Sequence, residues 1–386
     1  MKILCAPDKF KESLTAIEAA HAMRQGILRA CPTAVIDLCP IADGGEGFLD
    51  TLHAAQGGTY HTARVTGPRL APVEARWLSL PTRENEPPTA AIEMAQASGL
   101  QLLALSQRDP TQTTTHGTGQ LIAAAIHAGH RRILIGIGGS ATTDGGLGMA
   151  AALGARCFNE HDHEITTIPV GNTLSRIHRI DLVATRELLR DTEIIAACDV
   201  NNPLTGPQGA AHIYGPQKGA TPAQVLELDA GLRHLARLIH IPSERDLASI
   251  PGAGAAGGLG FGLMAFANAT LKPGIELVLE AVRFRERLMN CDLCLTGEGK
   301  LDEQSLAGKA CIGIARLANT EQVPTIALVG ASDVTLAAAQ HAGLTSYHVI
   351  GAGLSRADSM RRAAQLLEQA AERVTHDRLK EMNASR

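Results

Sequence analysis

The chain has 386 residues, 45% of them hydrophobic and 19% charged, with a formal net charge of −4. That length exceeds one ordinary core and points to two domains. A near balance of 35 basic and 39 acidic residues with no basic block argues against nucleic-acid and anionic-membrane partners. No run of about 18 apolar residues predicts a transmembrane helix. Aromatics are only 3%, so the core falls to Leu, Ile, Val, Ala and Met.

The start of the chain reads as a first buried strand, Ile3 to Ala6, rather than a signal peptide, because Pro7, Asp8 and Lys9 interrupt the apolar run. Thr15 with Glu18 three residues on forms a capping box for a helix to about Ala30. Val35 to Ile41 is a second strand, leading into Asp43-Gly44-Gly45-Glu46, and a helix from about Glu46 to Ala55 ends at Gly57-Gly58. The texture then changes. Tyr60 to Leu80 alternates and breaks at turns like an antiparallel piece, and Ala90 to Met94 is a further strand. Ile133 to Ile137 is a fully apolar strand, followed by a Gly-rich segment through Gly146 and an Ala-rich helix. Glu193 to Cys198 is a strand ending at Asp199, Ala223 to Ile239 an amphipathic helix, and Pro251 to Gly262 a Gly-rich stretch that reads equally as a hinge or close-packed turn and as a ligand loop.

After Pro273 a strand–helix rhythm returns. A helix covers about Gly274 to Leu288; strand Leu293 to Thr296 ends in Gly297-Glu298-Gly299-Lys300; and strand Thr325 to Val329 ends in Gly330. Strand Ser346 to Ile350 and a last helix, roughly Ser359 to His376, complete the chain. The expected fold is α/β: a doubly wound parallel sheet of flavodoxin or Rossmann type from residues 1–57 and 274–386, with a second α/β domain inserted over 58–273.

The eight cysteines are scattered through apolar runs, which suggests reduced thiols in the cytoplasm. Cys291 and Cys294 have the C-x-x-C spacing, but no second pair completes a zinc site and the pair reads as buried strand. His116, before Gly117-Thr118-Gly119, reads as a surface or capping residue.

In an open parallel sheet, ligands bind at the carboxyl ends of the strands, at the point where strand order reverses. With an order of 2-1-3-4-5 that crevice receives Asp8-Lys9-Phe10-Lys11 and Gly297-Glu298-Gly299-Lys300, with Asp43 and Glu46 from the neighbouring strand. Glycine lets backbone approach phosphate, acids hold Mg2+ or accept a hydroxyl proton, and lysines neutralise transferring charge; phosphoryl transfer needs these parts. The P-loop spacing is absent, and the first strand-to-helix loop has no glycine for a dinucleotide fingerprint. Gly138 to Thr142 follows a strand and precedes a helix, a context that suits phosphate.

Several strings together resemble the type-1 glycerate kinases. Ala6-Pro7-Asp8-Lys9-Phe10-Lys11-Glu12-Ser13-Leu14 matches that family's opening P-D-S-F-K-[GE]-S-L. Ala42-Asp43-Gly44-Gly45-Glu46-Gly47, Glu93-Met94-Ala95-Gln96-Ala97-Ser98-Gly99, Thr115-His116-Gly117-Thr118-Gly119 and Gly138-Gly139-Ser140-Ala141-Thr142-Thr143-Asp144-Gly145-Gly146 follow. So do Cys198-Asp199-Val200-Asn201-Asn202-Pro203, Gly215-Pro216-Gln217-Lys218-Gly219-Ala220, Ala255-Ala256-Gly257-Gly258-Leu259-Gly260 and Gly297-Glu298-Gly299-Lys300-Leu301-Asp302. Each piece is weak alone; the ordered set, running from residue 6 to about residue 313, is specific. Lys9, His116 and Thr143 stand where the family commonly has Ser, an aromatic and Asn, and the extra charge at Lys9 bears on substrate preference.

The resemblance implies ATP-dependent phosphorylation of D-glycerate at its 2-hydroxyl, with Mg2+ as the nucleotide's partner. On this reading glycerate sits in a cleft, with Asp8, Lys9, Ser13 and Glu46 as substrate ligands and Asp43, Asp199 and Lys11 as catalytic candidates. Gly138, Gly139, Ser140, Thr142, Gly297, Glu298 and Lys300 are the nucleotide-phosphate candidates, and Asp43, Glu46 and Asp302 the metal candidates. The alternatives are a glycerate 3-kinase, a dehydrogenase or isomerase on the same sheet, and a non-catalytic sensor of a small hydroxy acid. Oligomeric state is open, with a homodimer among the options.

Overall fold

The computed structural model describes residues 1–239, 246–306 and 308–384. It divides into two compact units: Met1–Asp43, Asp50–Gly57 and Ile275–Arg386 form the first, and Gly44–Leu49 with Gly58–Gly274 the second. The short segment Gly44–Leu49, placed by sequence with the first unit, thus groups with the second. No helix among the described residues is long and apolar enough to cross a membrane.

The first unit is built on five strands in the spatial order Val35–Leu38, Lys2–Pro7, Leu293–Leu301, Thr325–Ser332 and Ser346–Val349. Numbered along the unit this is 2-1-3-4-5, the expected order, and every neighbouring pair is parallel. Helices cover both faces because side chains alternate along each strand. Ile3, Cys5, Leu295 and Leu328 point to one core, shared with Met23 and Ile27 of helix Ala16–Ala30 and Leu367 and Ala371 of helix Ala363–Ala384. Ala327 and Val329 point to the other, with Cys311, Ile312 and Ala339. The Thr15 hydroxyl accepts from the Glu18 amide at 3.2 Å and the Glu18 carboxylate accepts from the Thr15 amide at 2.8 Å, closing the capping box.

Two strands run further than their sequence suggests. Gly297-Glu298-Gly299-Lys300 and Gly330-Ala331-Ser332 lie within strands rather than in loops after them. Each supplies the other's ladder, with Glu298 opposite Val329 and Lys300 opposite Ala331. Glycine here reflects close backbone approach: a Cβ on Gly330 would lie 2.5 Å from the Gly299 carbonyl oxygen. The expected helix from Gly274 to Leu288 is two, Gly274–Ala281 and Phe284–Leu288, broken at Arg283 with φ 52°.

The second unit carries a six-stranded sheet in the order Thr270–Lys272, Glu193–Ala197, Arg132–Gly136, Thr89–Glu93, Pro72–Ser79 and Thr59–Thr66. The first four strands are parallel; the last two join antiparallel, as the alternating texture after Tyr60 indicated. A small antiparallel sheet, Arg156–Phe158, Glu164–Ile165 and Arg179–Asp181, was not anticipated. Helix Pro222–Leu238 starts from a second capping box, Thr221 with Gln224. The Gly-rich stretch after Pro251 is no open hinge: it runs buried into helix Ala255–Ala267, whose regular part begins at Leu259 and is held in the core by Leu259, Phe261, Leu263 and Phe266. Packing overrides the poor helix propensity of its glycines. Ala256, Gly257 and Gly258 nevertheless take left-handed backbone angles at its start.

Candidate active site

In the first unit the acids converge. Asp8 leaves the end of strand Lys2–Pro7, and its amide donates to the Gly297 carbonyl at 2.8 Å. Since Pro7 is in register with Gly297, Asp8 and Glu298 come next to each other on adjacent strands. Each is only 9% exposed. Burial first, then the charges of Asp43 and, less, Glu298, together push the Asp8 carboxyl up to about 7, against the Lys9 amide that donates to it at 2.6 Å. Burial likewise pushes Glu298 up to about 7, with Ser305 and Cys311 opposing the rise. One oxygen of Glu298, Oε1, is buried without a hydrogen-bond partner. A buried carboxylate oxygen left unpaired is costly and suits a ligand, a cation or a proton.

The turn after Asp8 is fixed locally. The Phe10 amide donates to the Leu14 carbonyl and the Ser13 amide to the Phe10 carbonyl, at 2.9 and 2.8 Å, around a left-handed Glu12. The Ser13 hydroxyl also donates to the Phe10 carbonyl, at 3.2 Å, so it helps close the turn. Phe10 is buried as its anchor, Lys9 is half-buried and Lys11 exposed. Asp302 caps the short helix Glu303–Leu306, its Oδ1 accepting from the Ser305 amide at 3.1 Å. Lys300 is exposed and pairs with Asp333 at 2.5 Å. Asp43 is half-buried at the close of this unit's first segment.

In the second unit the segment after strand Arg132–Gly136 is almost wholly buried. Gly138 and Gly139 are its accessible part; Gly139 is exposed, has φ 72° and accepts from the Leu100 amide at 2.8 Å. Ser140 is buried and bridges to Gly99. Thr142 and Thr143 are fully buried, and neither hydroxyl has a partner. Asp144 is the hub: its carboxylate accepts from the Thr115 amide at 2.7 Å and hydroxyl at 2.8 Å, and from the Gly146 and Gly148 amides at 3.2 Å each. Complete burial raises its carboxyl and these donors lower it. Buried Lys218 reaches in to donate to the Thr142 carbonyl at 2.7 Å. Helix Leu147–Ala152 is only six residues long, so the loop, not a helix dipole, would hold an anion.

Asp199 is exposed after strand Glu193–Ala197, and its Oδ1 accepts from the Gly274 amide at 2.7 Å, an N-terminal donor of helix Gly274–Ala281. Glu46 is exposed in the second unit's first segment. His116 begins helix His116–His127 and bonds through Nδ1 to the Thr66 hydroxyl at 3.2 Å.

The sequence candidates do not include Asp144 and Lys218, although both sit in the quoted Gly-rich strings. Asp144 stands before two glycines and Lys218 between Gln217 and Gly219, so each has the look of an ordinary turn residue. Only their burial sets them apart.

Two buried carboxylates near neutrality, a neighbouring third acid and a loop with spare buried donors make a proton-accepting and phosphate-binding inventory. The glycerate kinase family model matches residues 3–378. A glycerate kinase of Halalkalibacterium halodurans is 44% identical over 373 residues, which is 96% of this chain and 97% of that one. The glycerate 2-kinase of Escherichia coli K12 is 46% identical over 330 residues, 86% of this chain and 85% of its own. A crystal structure assigned as glycerate kinase 2 from Salmonella typhimurium LT2 superimposes with TM-score 0.86 at 39% identity, covering 100% of this chain and 99% of that one. This chain belongs to the glycerate kinase family.

Proposed function

We propose that the chain transfers the γ-phosphoryl group of ATP to the 2-hydroxyl of D-glycerate in the cytoplasm, giving 2-phosphoglycerate and ADP. Family membership supplies kinase and substrate class; the observation that supports the chemistry is the buried pair Asp8 and Glu298, both pushed up to about 7. A base works best when its pKa lies near the operating pH, and the glycerate hydroxyl must lose its proton as the new O–P bond forms. The carboxylate that takes the proton is one of this set, with Asp43 beside Asp8.

The glycerate carboxylate suits Lys9 and Lys11, presented on the turn that Phe10 and Ser13 close. The loop Gly138–Thr142 suits the nucleotide phosphates, with glycine backbone accessible and donors to spare. Mg2+, when bound with ATP, draws charge from the transferring phosphoryl oxygens. Asp43 and the unpaired Oε1 of Glu298 are hard oxygen donors that fit it. Asp302 offers one oxygen beyond its cap, and Asp199 and Ser13 serve by holding backbone.

Incubating the chain with ATP, Mg2+ and D-glycerate and following phosphorus NMR tests the reading. A single new resonance of the 2-phosphate is expected, with ADP in equal amount. The 3-phosphate as product overturns the 2-hydroxyl assignment, and no phosphorylated acid overturns the kinase reading.

A further inference from the structure

Lys218 is the one lysine among the described residues that is fully buried, 1% exposed. It sits at the end of the turn Pro216–Lys218, where its amide bonds to the Gly215 carbonyl and the next residue, Gly219, is left-handed. A Cβ on Gly219 would lie 2.3 Å from the Arg108 carbonyl oxygen, so the turn is wedged in place. From there Nζ crosses to the Thr142 carbonyl at 2.7 Å, its one hydrogen bond among the described residues, although an ammonium has three donors. Asp144, two residues beyond, opposes the loss of its proton that burial promotes.

Stability alone does not account for this lysine. A methionine of similar length fills the same space without desolvating a charge, and such replacements are often neutral or favourable. Thr142 closes the Gly138–Thr142 segment, so whatever fixes its carbonyl also fixes the direction of that loop. On the other side, the Thr142 carbonyl faces Gly257, where a Cβ would come within 1.8 Å. The loop is thus held from one side by the Lys218 Nζ donor and from the other by bare backbone.

We propose that Lys218 is a positioning residue for phosphoryl transfer, holding the Gly138–Thr142 loop in its nucleotide-binding shape through the Thr142 carbonyl, with Asp144 as its counter-charge. This rests on the reading of that loop as the cradle of the nucleotide phosphates. Hydrogen bonds to charged groups are worth enough that losing one from a binding loop weakens binding about tenfold to a hundredfold.

The test is steady-state kinetics of full-length Lys218→Met with ATP and D-glycerate varied independently, beside the shift in melting temperature caused by ADP. The KM for ATP is expected to rise about tenfold or more and the ADP shift to shrink, with the glycerate KM within about twofold of wild type. Lys218→Arg, which keeps the charge, recovers part of the loss. An ATP KM within twofold of wild type, or both KM values rising together with a lowered melting temperature, overturns the proposal. If Lys218→Met does not fold, Lys218→Leu, which also lacks a donor, is read the same way. Gly139→Ala separates the two layers. If it raises the ATP KM while Lys218→Met does not, the cradle stands and Lys218 falls; if it leaves the ATP KM unchanged, the cradle falls and the proposal with it.

Discussion

Asp8→Asn converts the most heavily loaded carboxylate into a neutral group of the same shape, and its oxygen can still accept from the Lys9 amide at 2.6 Å. In the folded chain Asp8 is pushed up to about 7 by burial first, then by Asp43 and Glu298. In the unfolded chain it returns to about 3.9. Between roughly pH 4 and 7 the native state therefore holds a proton that the unfolded state has lost, so native stability falls as pH rises through that window. An offset of that size corresponds to about 4 kcal/mol once the window is crossed, an upper bound because Asp43 and Glu298 readjust when Asp8 changes. Asn pays no such penalty. The variant should match wild type near pH 4, gain on it steadily, and at pH 8 be more stable by up to about 4 kcal/mol, while turnover falls steeply. Urea unfolding followed by circular dichroism at pH 5 and pH 8, with EDTA present, measures this directly. A variant no more stable than wild type at pH 8, with an unchanged slope between the two pH values, would refute the argument that Asp8 is held ionisable against its own burial.

Asp43→Asn should lower kcat by about 10²–10⁴ with an unchanged melting temperature; near-normal kcat removes Asp43 from the chemistry. Gly257→Ala puts a methyl group where the Thr142 carbonyl oxygen lies 1.8 Å away, at φ +69°. Left-handed strain and overpacking together should cost about 2–4 kcal/mol, seen as a melting temperature lower by about 5–10 °C, and the ATP KM should rise because Thr142 must move. Arg287 bonds the Asp37 carboxylate at 2.6 Å, the Val282 carbonyl at 3.0 Å and the Ala55 carbonyl. Arg287→Ala leaves a largely buried acid and two carbonyls unserved, and should destabilise by about 2–4 kcal/mol with kcat per folded molecule unchanged.

Much of the first unit is legible because its signals are local or periodic. Thr15 and Glu18 announce a helix start, and the apolar runs at Ile3 and Leu293 announce buried parallel strands whose ends carry Asp8 and Glu298. The limits of reading are equally physical. Gly297, Gly299 and Gly330 look like turn residues, yet they are strand residues that let two backbones run close, a fact that depends on a partner about thirty residues away. The glycines after Pro251 look like a flexible turn, but they form a buried, partly left-handed approach to a helix that Leu259, Phe261 and Phe266 anchor in the core. Asp302, Asp199 and Ser13 have the residue types of catalysis and also bond nearby backbone, which their sequence context did not announce. Lys218 and Asp144 are the converse: ordinary turn residues by type, distinguished by a burial that no pattern of three or four neighbours encodes.

Gly44–Leu49 belongs with Gly58–Gly274 although eight residues of the first unit, Asp50–Gly57, intervene. Phe48 is fully buried, and a Cβ on Gly136 would touch its ring at 3.2 Å. The inserted region is therefore not a cassette that two cuts can release. A gene fragment encoding 58–274 would leave Phe48 behind and open a hole against the strand that leads into the Gly138 loop. Swapping this region between relatives, or grafting it onto another scaffold, requires carrying the Gly44–Leu49 stretch as well, and a crossover placed at residue 58 alone should give chimaeras that aggregate rather than exchange specificity.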